Sequence, residues 1–261
     1  MVVIIGEPDM GKSTFSNFIA GYPDGDPQSF GAGDSGSATK SPEVRRVQWR
    51  GDGRYFTIVD TPGASDPGGS DADKEQFREI LNVLRYDVSY ISAIIHVVKG
   101  TTVDGTVSTA GNSPPMEKNL RLYRSMFGAA LSENLITEVV SWRHYEMSGE
   151  DRDEFRGVMA DAMQAIFPNP NMTINVVFVD PIDALPEEER KRVERRYGYN
   201  WDAEEEQKNQ LKKLEELIWG RQSFSCSRSC KFVEQVFDQG NNYPTITTSD
   251  EYSSSRYKVS A

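Results

Sequence analysis

Cysteine is almost absent from this sequence: only Cys226 and Cys230 occur in 261 residues. Their C-x3-C spacing, with both histidines far away, does not match the usual zinc patterns. We read them as isolated reduced thiols rather than a redox pair. Long hydrophobic runs are missing too. No stretch reaches the roughly 18 to 20 apolar residues of a membrane span. The first apolar run, Val2 to Ile5, is too short for a signal peptide and lacks a basic flank. Basic charge is in deficit, with 29 Lys and Arg against 40 Asp and Glu and a net charge of −11. Such an acidic surface repels nucleic acids and anionic lipids, although a local basic site for a phosphate group remains compatible with it. There is no internal repeat. The expectation is a cytoplasmic protein with one large α/β domain, long enough to bury a core without disulfides or structural metals.

The chain reads as alternating strands and helices. Val2-Val3-Ile4-Ile5 is a β-branched run ending at a glycine, as in a buried central strand. Lys12 to Ala20 follows with Phe15, Phe18 and Ile19 at helical spacing. Tyr22 to Ser41 is rich in Gly, Asp, Ser and Pro, and a connection of that length is usually functional or mobile. Val44 to Trp49 and Tyr55 to Val59 flank Arg50-Gly51-Asp52-Gly53-Arg54 and predict a hairpin. Further helices are predicted at Lys74 to Arg85, Met116 to Phe127 and Asp153 to Phe167, and further strands at Ala93 to Val98, Ile136 to Val140 and Asn175 to Val179. Thr101 to Pro115 has turn composition. Leu211, Leu214, Leu217 and Ile218 form the stripe of a closing amphipathic helix. Glu187 to Arg192 reads as a solvated helix face, and His96 as a core or sheet-end histidine. The predicted fold is a mostly parallel, doubly wound sheet with one antiparallel strand and helices on both faces.

Gly6-Glu7-Pro8-Asp9-Met10-Gly11-Lys12-Ser13 fits G-x-x-x-x-G-K-[ST] without a mismatch, between a predicted strand and a predicted helix. Gly6 and Gly11 let the backbone curl so that several N–H groups face phosphate oxygens. The helix adds its positive end. Lys12 supplies a cation for the β- and γ-phosphates, and Ser13 a hydroxyl for Mg²⁺. Asp60-Thr61-Pro62-Gly63 ends the second hairpin strand. Asp60 there can hold Mg²⁺, usually through water, while Gly63 can bring its N–H close to a γ-phosphate in a loop that orders with triphosphate. Thr39, in Ser37-Ala38-Thr39-Lys40 between the first helix and the hairpin, is the candidate to reach Mg²⁺ and the γ-phosphate, against the alternative of a plain loop threonine. The order of P-loop, hairpin and D-T-P-G excludes most kinase-like P-loop architectures.

Gly6 to Thr14, Ser37 to Lys40 and Asp60 to Gly63 together resemble the AIG1 family of GTPases, the GTPases of immunity-associated proteins. Septins and chloroplast-import GTPases are more distant relatives. Tyr90 to Val98 resembles the strand after the second switch, and Pro115 to Gly128 the helix that follows. The likeness covers roughly residues 1–180, more loosely to 238. It implies a P-loop NTPase G domain over 1–222, then a helical extension over 223–238, and composition predicts a disordered tail over 239–261. It also implies GTP/GDP and Mg²⁺ as cofactors, slow GTP hydrolysis and self-association as a homodimer or oligomer in the GTP state. A protein effector is compatible with this, nucleic acid is not expected, and membrane contact is expected only indirectly.

The sequence departs from that pattern at two loops. The guanine-reading N/T-K-x-D is absent, and Ile136 to Val140 runs into Ser141-Trp142-Arg143-His144-Tyr145. Trp142, His144 or Tyr145 can stack on a base and His144 can hydrogen-bond it, or the loop is simply solvated around a partly buried tryptophan. Ala64 follows Gly63, so no glutamine stands where Ras-like enzymes orient their water. The catalytic assignments are therefore Lys12, Thr39 and Gly63, and hydrolysis is expected to be slow unless a partner completes the site. Asp9 could face such a partner, although a solvated loop acid is the simpler reading. Two rivals stay open: a nucleotide-gated interaction module with negligible turnover, and an ATP-binding P-loop protein.

Overall fold

The computed structural model describes residues 1–23, 26–31, 41–50, 52–63, 71–86, 88–103, 106–109, 113–140, 142, 147–167, 172–181, 191, 201–221 and 223–225. In chain order the elements are β1 (Val2–Ile5), α1 (Lys12–Ala20), β2 (Glu43–Gln48), β3 (Tyr55–Asp60), α2 (Asp71–Tyr86), β4 (Tyr90–Ile91), β5 (Ala93–Val103) and β6 (Thr106–Thr109). There follow α3 (Ser113–Phe127), α4 (Ala130–Asn134), β7 (Leu135–Val140), α5 (Gly149–Ile166), β8 (Val176–Phe178), α6 (Trp201–Trp219) and β9 (Phe224–Ser225).

The main sheet runs β2-β3-β1-β5-β7-β8. β3, β1, β5, β7 and β8 are mutually parallel, and β2 is antiparallel to β3. This is the predicted doubly wound sheet with its antiparallel hairpin strand. Alternation along each strand divides the apolar residues between two layers. Val3, Ile5, Val59, Ile94, Val139 and Phe178 face a core closed by Leu84 of α2, Tyr123 and Phe127 of α3 and Phe155 of α5. Val2, Ile4, Ile58, Ile95, Ile136 and Val177 face the other, closed by Phe15 and Ile19 of α1 and by Leu214 and Ile218 of α6. Covering on both faces explains why these strands read as continuous apolar runs rather than alternating ones. The predicted α6 stripe is likewise confirmed: Leu214 and Ile218 are buried, and Leu211 and Leu217 pack partly buried against the same core.

The structure departs from the expected elements beyond Val98. β5 continues to Val103, and β6 pairs back on it antiparallel, from Gly100↔Thr109 to Val103↔Thr106. Threonine is polar enough to look like turn composition, yet its branched Cβ suits a strand. α3 begins at Ser113, ahead of the predicted Met116, because Pro114 and Pro115 sit in a first turn where proline sacrifices no helical hydrogen bond. Gly128, at φ 62°, follows its last turn. α5 starts at Gly149 behind a capping box. Asp151 N–H donates to Ser148 Oγ at 3.1 Å, and Ser148 N–H donates to Asp151 Oδ2 at 2.7 Å. That pair satisfies two donors at the helix start.

Candidate functional site

β1 lies between β3 and β5, so the loop leaving Ile5 emerges at the carboxyl edge of the sheet, where open α/β sheets bind ligands. Gly6, at φ 151°, begins that loop. A Cβ on it would stand 2.5 Å from the Val97 carbonyl oxygen of β5, so only glycine lets the chain turn here. Gly11, at φ 88°, precedes α1 in a left-handed conformation and offers no side-chain cap. The first-turn amides of α1 therefore lack the side-chain acceptor that usually serves them, a condition suited to a bound anion.

Lys12 is buried, and its Nζ donates to the Glu7 carbonyl at 2.7 Å. Burial lowers its pKa to about 8, against the opposing pull of the Asp60, Asp9 and Glu7 carboxylates. The ammonium is thus poorly compensated, and phosphate oxygens would supply what burial withholds. Glu7 is tied at its other end as well: Asn119 Nδ2 of α3 donates to its Oε1 at 2.6 Å. Asp9 holds a positive φ of 60°.

The parallel register Ile4↔Asp60 sets the end of β3 beside the phosphate loop. Ser13 Oγ donates to Asp60 Oδ2 at 2.6 Å, and Ser16 Oγ to Oδ1 at 3.0 Å. Asp60 is fully buried, and burial pushes its pKa up to about 6, with the two serines and Lys12 pulling it back. Thr61 turns its hydroxyl back to the Ile4 carbonyl at 2.7 Å, locking the two strand ends together. A hydroxyl and a carboxylate in contact are hard oxygen donors of the kind Mg²⁺ takes beside phosphates. Ser13 and Asp60 therefore fit that ion, Ser13 directly and Asp60 directly or through water. When bound, Mg²⁺ would neutralise charge between the phosphates.

Gly63 lies against the phosphate loop. A Cβ there would overlap the backbone of Pro8, with Pro8 Cδ at 2.7 Å. Gly63→Ala should therefore force these loops apart and lower the stability of the empty protein by about 1–3 kcal/mol, the usual range for overpacking. A melting temperature equal to that of the unmodified chain would contradict this contact.

Of the predicted site residues, Gly6 to Thr14, Asp60 and Gly63 come together as described. Thr39, Ala64, Ser141, His144 and Tyr145, with Cys226 and Cys230, lie outside the described residues. Trp142 needs a correction. It is 4% exposed, set edge-to-face on Phe178 at 6.5 Å, with the Arg152 guanidinium 4.9 Å from its ring centre. Its ring is core, not a stacking platform for a base, because it packs between Phe178 of β8 and Arg152 of α5. His96 is a core histidine, as expected: it meets Tyr123 edge-to-face at 5.6 Å. Burial, helped by the nearby Lys12 charge, depresses its pKa to about 4. Ser16, Asn119 and Glu138 were not singled out in the sequence. Only Ser16, one turn after Ser13, had any positional signal.

This geometry has relatives. Residues 1–123 match the family model of 50S ribosome-binding GTPases. Toc33 from Arabidopsis thaliana, solved with GDP and Mg²⁺, superimposes with a TM-score of 0.50 at 16% identity, over 69% of each chain. The fold is that of a P-loop GTPase G domain. A dimerization-deficient mutant of Toc33 gives 0.47 at 17% identity, over 69% of this chain and 70% of that one. Aquifex aeolicus Era bound to GDP and AlF4⁻ gives 0.44 at 15%, over 76% and 56%. No curated protein sequence matches. The residues matched by the family model include the Gly6 to Ser13 loop and Asp60 to Gly63.

Proposed function

We propose that this protein binds guanine nucleotide with Mg²⁺ and hydrolyses GTP slowly. The observation that carries the reading is the triad of Lys12, Ser13 and Asp60 around the uncapped start of α1. It gathers a poorly compensated cation, backbone donors and hard oxygen ligands within one loop and one strand end. Lys12 and the loop amides stabilise charge on the phosphates. Ser13, Asp60 and Thr39 serve the metal. Gly63 and Thr39 present backbone groups to the attacking water, and Ala64 leaves no side chain to orient it. A second copy of the chain or an effector completes the site, in keeping with the AIG1 resemblance and with the dimerization named for Toc33. The catalytic body is the G domain over 1–222, acting in the cytoplasm as a switch or a self-assembling scaffold.

Titration calorimetry with GTP, GDP and ATP, each with and without Mg²⁺, tests this. GTP and GDP should bind only weakly without the metal, and ATP should fail to displace GDP. Absence of heat with both guanine nucleotides sinks the proposal. A second reading has its own support, since Trp142 is buried and no N/T-K-x-D stands beside it. Equal competition by ATP would favour that ATP-binding alternative.

A further inference from the structure

The phosphate loop carries two carboxylates, Glu7 and Asp9, and a single cation, Lys12, between Gly6 and Ser13. A carboxylate free to swing toward a polyphosphate would oppose binding. Glu7 is not free. Its carbonyl receives Lys12 Nζ at 2.7 Å, and its carboxylate receives Asn119 Nδ2 at 2.6 Å from the middle of α3. Asn119 is 2% exposed, so its amide is a deliberate polar contact in an apolar helix face. Four residues later on the same face, Tyr123 is also buried, with its hydroxyl near Gly6 but outside hydrogen-bond geometry. His96 Nδ1, behind it, has no hydrogen-bond partner either. Among these three neighbours, Asn119 alone ties the loop's side chain by a hydrogen bond.

We infer that Asn119 is a positioning residue of the nucleotide site: its clasp on Glu7 holds the loop carboxylate toward α3 and away from the phosphates. This rests on the nucleotide reading above. It gives α3 a direct hold on the loop, so a displacement of that helix moves the loop's carboxylate as well as its backbone.

The test is a reciprocal exchange. Asn119→Asp sets two carboxylates against each other, releases Glu7, and should weaken GDP·Mg²⁺ binding by about 10-fold, as expected for breaking a buried charged hydrogen bond. Adding Glu7→Gln restores one donor and one acceptor in reversed order, and should return the affinity to within about 3-fold of the unmodified protein. General damage to the fold would not be repaired by that second change. Urea unfolding, without nucleotide, of the unmodified protein, Glu7→Gln, Asn119→Asp and the double variant supplies a measurement of the same pair. Normal GDP affinity in Asn119→Asp, or failure of the double variant to recover, overturns the inference. If the unmodified protein binds no GDP, the nucleotide reading and the positioning role fall together. Unfolding coupling between Glu7 and Asn119 would then mark the clasp as purely structural, and zero coupling would remove the clasp too.

Discussion

Lys12→Met should abolish useful nucleotide binding while leaving the fold intact. Truncating one partner of a buried charge pair costs about 2–5 kcal/mol, which is roughly 30- to several-thousand-fold in Kd. The empty protein should show no matching loss of stability. Lys12 falls from an unfolded value of 10.5 to about 8 in the folded chain. Between those values the unfolded state holds more protons, so stability rises with pH across that window. Below pH 8 the full cost of burying the ammonium is present, and methionine removes it, against the loss of one hydrogen bond to Glu7. The gain from Lys12→Met should therefore be largest below pH 8 and fade toward pH 10.5. Bound phosphates raise the lysine pKa again, so binding above pH 8 takes up a proton and affinity falls as pH rises. Calorimetry in buffers of different ionisation enthalpy measures that proton, and thermal melts measure the stability. A Lys12→Met protein that binds GDP normally would remove Lys12 from the site.

Local chemistry made the phosphate loop legible. A strand, two glycines and Lys-Ser at fixed spacing have few other uses, and the structure sets them where the sheet opens. Asp60 was legible for the same reason, since D-T-P-G at the end of a hairpin strand needs only the neighbouring strand to meet Ser13. What stayed hidden depends on register and on distant partners. Asn119 meets Glu7 across 112 positions of sequence, and no periodicity announces an asparagine that faces a loop rather than solvent. Thr101 to Thr109 was hidden by composition, because polar β-branched residues score as turn until a partner strand is known. Trp142 misled for a related reason: an aromatic in the place of a specificity motif suggests stacking, but the strand before it delivers the ring to Phe178. Glu138 was concealed inside Leu135-Ile136-Thr137-Glu138-Val139-Val140, a run whose overall apolarity correctly predicts a central strand.

Glu138 leads to the second large effect. It lies on β7 between β5 and β8, wholly buried. Its Oε1 accepts the Val179 N–H at 2.9 Å, and its Oε2 has no hydrogen-bond partner. Burial pushes its pKa well above 4.5, and the Asp180 carboxylate adds to the rise, while the Val179 N–H works against it. The folded state therefore keeps a proton that the unfolded state releases above pH 4.5. With more protons bound in the folded state, stability falls as pH rises through that window, by about 1.4 kcal/mol per pH unit. Glu138→Gln retains the acceptor for Val179 and has no proton to lose. Its stability should diverge upward from that of the unmodified protein as pH increases through that window. Urea unfolding at pH 5, 6 and 7 follows the divergence. Parallel pH profiles for the two proteins would mean that Glu138 ionises in the folded core, and that β7 tolerates a buried charge. A widening gap would instead identify a neutral carboxyl whose retention in the core costs stability.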